Sequence, residues 1–144
     1  MQMTVEALLN GTEYRRLSEH ATMRIQKEYK LCKIDLYILT FLNRFRDKNT
    51  PRDILASKMF TRGHISQSIK RLVSQNFIST ETDSNDHRIF HCYLTSKAES
   101  VLIELEGVMH EMEQQIFQHV SEEEKILFLE VANRINRNIV NVLD

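Results

Sequence analysis

The sequence predicts a mainly α-helical protein carrying one small β-hairpin, and three observations carry that prediction. Three Gly, one Pro and no Trp in 144 residues are few punctuators for an all-β chain. Apolar residues recur at helical spacing, most clearly at Ile65, Ile69, Leu72 and Val73, offsets 0, 4, 7 and 8. One stretch changes period: Ile89, His91 and Tyr93 alternate with Phe90, Cys92 and Leu94, as on a strand.

Taken in order, Met1 to Leu9 suggests a helical turn stopped by Asn10-Gly11. Thr12 then reads as the N-cap of a helix reaching Tyr29, with Tyr14, Leu17, Ala21 and Ile25 on one face. A second helix is expected from Lys33 to Arg46, striped by Ile34, Ile38, Phe41, Leu42 and Phe45. Thr50-Pro51-Arg52-Asp53 combines a capping box with proline at the first helical position, opening a short helix that ends near Phe60. Thr61 can cap the next helix, Arg62 to Gln75, after only about two intervening residues. Asn76 suits the left-handed residue that ends a helix. FISTET and IFHCYL, joined by a polar Asp/Asn/Ser segment, form the hairpin. Thr95 can cap a long helix from Ser96 to His119 with Leu102, Leu105, Met109, Met112 and Ile116 as its spine. Ser121-Glu122-Glu123-Glu124 is a capping box for a last helix. Two helices in tandem followed by a hairpin make a winged helix-turn-helix.

Charge distribution says more than the net charge of −1. Residues 1–49 carry nine Lys/Arg and six Asp/Glu, 50–97 seven and four, 98–144 three and ten, giving +3, +3 and −7. No acidic side chain occurs from Arg62 to Gln75, whose face opposite the apolar stripe collects His64, Gln67, Lys70, Arg71 and Ser74. A DNA groove is the natural counterpart of such a face. Elsewhere, no apolar run approaches the roughly 20 residues of a membrane span, and no signal peptide is evident, so a cytoplasmic protein is the default. Cys32 and Cys92 make no disulfide framework, and His20, His110 and His119 lack metal-ligand spacing, so no metal or cofactor is expected. There is no Gly-rich phosphate loop, no Ser/His/Asp arrangement and no plausible carboxylate pair, so an enzyme is not expected.

At DSNDHRIFHCYLT the sequence resembles the MarR family of bacterial transcriptional regulators, whose wing carries Asp-x-Arg before a strand closing in Leu-Thr. Here those positions read Asp86-His87-Arg88 and Leu94-Thr95. The resemblance implies a homodimeric regulator, typically a repressor, on double-stranded DNA at a pseudo-palindromic operator, released by a small-molecule effector or an oxidant. It makes 1–144 one domain, with 1–31 and 96–144 a helical dimerisation region and 32–95 the winged helix-turn-helix. It places Ser66 and Gln67 at base edges and Arg71 at the DNA backbone; Arg62, His64 and Lys70 are expected at phosphates. Arg88 is the wing probe, with Asp86 holding it. Many members carry Arg where Gln67 stands, and Gln favours adenine. The first wing strand, Ser79-Thr80-Glu81-Thr82, lacks the arginines common there. The chain's near-neutral net charge and the Glu81-bearing wing motivate an alternative: a winged-helix module binding protein without specific DNA binding. Redox-sensing members keep a thiol near Cys32, but a small buried or half-buried thiol is the preferred reading.

Overall fold

The computed structural model describes residues 11–144, so the turn expected over Met1–Leu9 lies outside the described residues. The described residues contain, in order, α1 (Thr12–Tyr29), α2 (Lys33–Arg44), α3 (Pro51–Ala56), α4 (Arg62–Ser74), β1 (Ile78–Thr82), β2 (Phe90–Leu94), α5 (Ser96–Ile116) and α6 (Glu122–Leu143). Two compact units divide between Met109 and His110.

The first unit is built largely around helix faces that the apolar spacing marks, except that in α5 Val101, outside the expected spine, is fully buried where Leu102 is only half-buried. Ile25, Ile38, Leu42, Ile54, Ile65, Ile69, Leu72 and Val101 are buried together with Phe77, Ile78 and Cys92 at the root of the hairpin. Each such side chain contributes on the order of 2 kcal/mol on leaving water. Several boundaries differ from expectation. Gly11, at φ 60°, precedes α1, so Thr12 is its first helical residue and not its cap. Tyr14 projects into solvent from α1. α2 ends at Arg44, two residues early, because Phe45 leaves the helical region. α3 has the expected box: Asp53 N–H donates to the Thr50 hydroxyl oxygen (3.2 Å) and Thr50 N–H to the Asp53 carboxylate (3.0 Å). It stops at Ala56, not near Phe60, because Lys58 turns left-handed at φ 59° and the Ser57 hydroxyl donates to the Ile54 carbonyl. Five residues, 57–61, therefore separate α3 from α4 instead of two.

α4 begins at its expected cap, with His64 N–H donating to the Thr61 hydroxyl oxygen. It closes through Asn76 at φ 62°: Asn76 N–H donates to the Val73 carbonyl and Phe77 N–H to that of Leu72. That pair of bonds satisfies carbonyls which a helix end otherwise leaves open. Val73, counted in the apolar stripe, is exposed. The hairpin pairs antiparallel from Ile78 opposite Leu94 to Thr82 opposite Phe90. Thr95 does not supply the expected side-chain cap. Its hydroxyl donates back to the Asn76 and Phe77 carbonyls at 2.6 and 3.1 Å, tying the start of α5 to the wing root.

In the second unit α6 opens on its expected box, Ser121 N–H to the Glu124 carboxylate at 2.8 Å and Glu124 N–H to the Ser121 hydroxyl at 3.1 Å. Lys125 pairs with Glu113 and lies over the Phe117 ring. No side chain of α6 is buried, although Ile126, Leu127, Phe128, Leu129 and Val131 sit along it.

One interaction in the first unit has no counterpart in the apolar pattern. Asp35, in the first turn of α2, is completely buried. Its Oδ1 accepts from the Ser68 hydroxyl (2.5 Å) and Arg71 Nη2 (2.7 Å), its Oδ2 from Arg71 Nε (3.0 Å) and the Cys32 backbone N–H (2.7 Å). Burying a carboxylate is tolerable only when its lone pairs are used this fully. The Asp35 bond holds the Arg71 guanidinium above its already high pKa, against the opposing effect of burial. Ser68 and Arg71 stand three residues apart on one side of α4, so the grip sets the rotation of α4 about its own axis.

Removing either partner strands the other. Asp35→Ala and Arg71→Ala should each lower the unfolding free energy by ~3 kcal/mol. The double substitution should cost clearly less than their sum, in urea denaturation with unchanged m-values. Additive losses would mean that the two side chains do not support each other.

Candidate nucleic-acid interface

The buried side of α4, formed by Ile65, Ser68, Ile69 and Leu72, defines its outward side. At about 100° per residue, Gly63, Gln67, Lys70 and Ser74 point most directly away from the core. Arg62, His64 and Ser66 are exposed as well. Arg71 differs from the other predicted contact residues: its guanidinium lies on Asp35 and its side chain is 33% exposed.

Between α3, α4 and the wing runs an open groove of about 930 Å³. Arg62, Ser66 and Lys70 from α4 meet Asp86 and Arg88 from the wing along it, over a floor that includes Ile65 and Ile69. His64 and Gln67 do not line the groove; both are exposed, Gln67 on the outward face of α4 and His64 at its side. Arg52 of α3 joins the groove and was missed in the sequence, where its tetrapeptide signalled only a helix start. Four cations and one carboxylate thus line a single concavity, a focus for anions.

At the wing tip Asp86 accepts from the Arg88 backbone N–H at 3.0 Å, and Arg88 Nε lies 3.5 Å from the same carboxylate oxygen. The Arg88 side chain is otherwise free, 94% exposed. Behind the tip, Asp83 accepts the N–H groups of Asn85 and Asp86, both at 2.9 Å, through Oδ2. Asp83 Oδ1 faces His91 Nε2 at 2.8 Å, and His91 Nδ1 faces Asn49 Oδ1 at 2.6 Å. Asn49, Asp83 and His91 carry no signal in the sequence that marks them as a set. In the sequence His91 is only one place in a strand alternation, and nothing local marks a partner 42 residues away.

Other reactive groups lie apart from this surface. Cys32 is exposed, not the buried or half-buried thiol that was preferred, while Cys92 is buried and its thiol is pushed up to about 11 by desolvation. Tyr29 donates to Glu104 at 2.6 Å, a bond that pushes the phenol up to about 12. Among the described residues no three His, Cys, Asp or Glu converge as metal ligands, and no helix is long and apolar enough to cross a membrane.

The His91 hydrogen bond, followed by the Asp86 and Asn85 N–H groups, lowers the Asp83 carboxyl from 3.8 to about 2. Since the folded value lies below the ordinary one, the stability it lends is complete above about pH 4 and is lost as pH falls towards 2. A carboxyl NMR titration should place the Asp83 midpoint near that value, and His91→Ala should move it back towards 3.8. A midpoint unmoved by His91→Ala would contradict the assigned cause.

Known structures share this architecture. The crystal structure of MarR superposes with a TM-score of 0.75 at 19% identity, covering 96% of this chain and 99% of that one. A MarR transcriptional regulator from Methanosarcina mazei Go1 gives 0.75 at 13% identity, covering 92% and 95%. The S. aureus MepR–DNA complex gives 0.61 at 18% identity, covering 90% and 96%. These likenesses establish the winged-helix fold that the sequence resemblance implied. The family model "Transcriptional regulator SarA/Rot" matches residues 21–105, more than half of the chain. The chain therefore belongs to the SarA/Rot family of transcriptional regulators.

Proposed function

We propose that this regulator acts as a homodimer on double-stranded DNA, repressing from a pseudo-palindromic operator and releasing it when a small-molecule effector binds. One observation carries the DNA reading: the outward, acid-free face of α4 continues into a cation-lined groove that ends at the exposed Arg88. MepR, which shares the fold, has been crystallised with DNA. In this reading 32–95 forms the reading head, and 1–31 with 96–144 the dimerisation region. Ser66 and Gln67 meet base edges; Arg62, His64, Lys70 and the newly included Arg52 meet phosphates. Arg88 probes the minor groove or backbone, held by Asp86. Arg71 was expected at the DNA backbone; its engagement with Asp35 makes it the residue that orients α4 instead.

A second copy of the chain is the natural cover for α6. Leu127, Val131, Ile139 and Val142 are all exposed along one long helix, more apolar surface than a solitary soluble chain usually presents. An isologous pairing would bury it twice over. The effector and the sense of regulation rest on the family resemblance; a cytoplasmic location is the default reading of the sequence.

Selection from a random DNA pool should recover two half-sites about one helical turn apart. Recovery of no preferred sequence at low salt would favour the protein-binding alternative. Arg88→Ala should weaken binding to all sequences and reduce the magnitude of the salt slope by about 1, whereas Gln67→Arg should move base preference towards guanine at one position per half-site. Gly63 offers a test with opposed signs. A Cβ there would meet nothing within 4 Å inside the protein. Gly63→Ala should therefore stabilise the fold by ~0.5 kcal/mol while weakening DNA binding, if the backbone at this point lies against the duplex. Paired Leu127→Glu and Val131→Glu substitutions should yield a monomer in sedimentation and lower DNA affinity more than about tenfold.

A further inference from the structure

A two-stranded hairpin is marginal by itself, so the position of a wing tip depends on what ties it down. The root of this wing is secured by buried Phe77, Ile78 and Cys92. The tip, from Thr82 to Phe90, is exposed or half-buried throughout. It is linked to the helix-turn-helix by a continuous series of hydrogen bonds. Asn49, the residue before the α3 cap, accepts the Cys92 N–H at 2.8 Å through its backbone and meets His91 Nδ1 at 2.6 Å through its side chain. His91 Nε2 meets Asp83 at 2.8 Å, Asp83 accepts the N–H of Asp86, and Asp86 accepts the N–H of Arg88. The imidazole is about three-quarters buried and is the one side chain in this series that touches both the loop before α3 and the tip. Its Nε2–H donates to the carboxylate. At Nδ1 the Asn49 amide serves either ring form, its oxygen accepting from N–H or its NH₂, once turned, donating to the bare nitrogen.

We propose that His91 is a positioning residue for DNA engagement: by bridging Asn49 and Asp83 it fixes the wing tip relative to α4 and so presents Arg88 at a set distance from the reading helix. This rests on the DNA reading above and adds to it a residue that itself touches no DNA. A merely structural histidine would lower stability and affinity together, without regard to Arg88. A positioning histidine acts through Arg88, so its effect on binding must vanish when Arg88 is gone.

The test is a double-mutant cycle on the full chain, with random-sequence duplex at low salt and a duplex recovered by the selection as probes. His91→Ala should weaken binding by roughly three- to tenfold, and His91→Gln, which keeps a donor towards Asp83, should fall between it and the parent. In an Arg88→Ala background, His91→Ala should cost nothing further. Full additivity with Arg88→Ala, or an unchanged affinity in His91→Ala, would overturn the proposal. A second arm uses the free protein. NMR exchange of the Asn85 and Asp86 amides should accelerate in His91→Ala and in Asp83→Asn, while α4 amides keep their protection. Unchanged tip exchange would also overturn it, with or without DNA. If the parent chain bound neither duplex, the DNA reading would fail and this proposal with it. Unchanged tip exchange with DNA binding intact would sink the proposal alone.

Discussion

A single buried carboxylate decides how this winged helix presents its surface. Asp35 is fully enclosed, and four donors converge on it, three from Ser68 and Arg71 of α4 and one from the Cys32 backbone. A charge in that position is costly to leave unpaired and costly to remove, so the partners are committed to it. Because two of those partners lie one turn apart on α4, the angle at which Gln67 and Lys70 face outward is set from behind. The apolar stripe of Ile65, Ile69 and Leu72 would tolerate some rotation of a smooth helix against the core. The bidentate Arg71 grip would not, since two parallel N–H···O bonds fix direction as well as distance.

The remaining design separates tasks by charge. A net charge of −1 would suggest indifference to nucleic acid if charge were felt as a sum. At physiological ionic strength the screening length is about 8 Å, so a phosphate senses the side chains beside it and little else. The groove between α3, α4 and the wing offers Arg52, Arg62, Lys70 and Arg88 against one carboxylate, which is itself occupied with Arg88. Acidic residues concentrate instead after residue 98, where α6 also carries exposed apolar side chains. Local chemistry, not net charge, therefore separates a surface suited to polyanions from one that carries exposed apolar side chains.

What could be read from the sequence follows from the range of each interaction. Caps and boxes at Thr50, Thr61 and Ser121 are legible because donor and acceptor lie three residues apart, and all three are present. Asn76 is legible for the same reason, as the residue tolerating a left-handed turn. The period of 3.6 located the helices, and the change to 2 located the wing. Lys58 taking a left-handed turn is not legible, because a lysine carries no preference for it, and so α3 was drawn four residues too long. Asp35, a polar residue between Ile34 and Leu36 with no local side-chain partner to announce it, finds Ser68 and Arg71 more than 30 residues away. His91 and Asn49 are separated still further. Periodicity reports which face is apolar; it does not report a polar partner that only folding brings near. Arg71 shows the cost of that blindness, since helical projection places it on the face opposite the apolar stripe and cannot say that its guanidinium is engaged by Asp35.

These two long-range polar ties also constrain how such a head could be controlled. Asp35 fixes α4 from one side, and the His91 bridge links the wing tip to the loop before α3 from another. A head held at both places is preorganised, which reduces the ordering cost of engaging a duplex. It is also poorly suited to being switched by internal deformation, because moving α4 or the tip would break charge-assisted hydrogen bonds before it gained anything. In the proposed dimer the softer variable is the separation of two such heads. Half-sites one turn apart along DNA demand a fixed spacing, so a change in separation forfeits the second head's contacts while each head keeps its own geometry. An effector then has to favour one spacing over another by its differential affinity alone, and need not distort either reading surface.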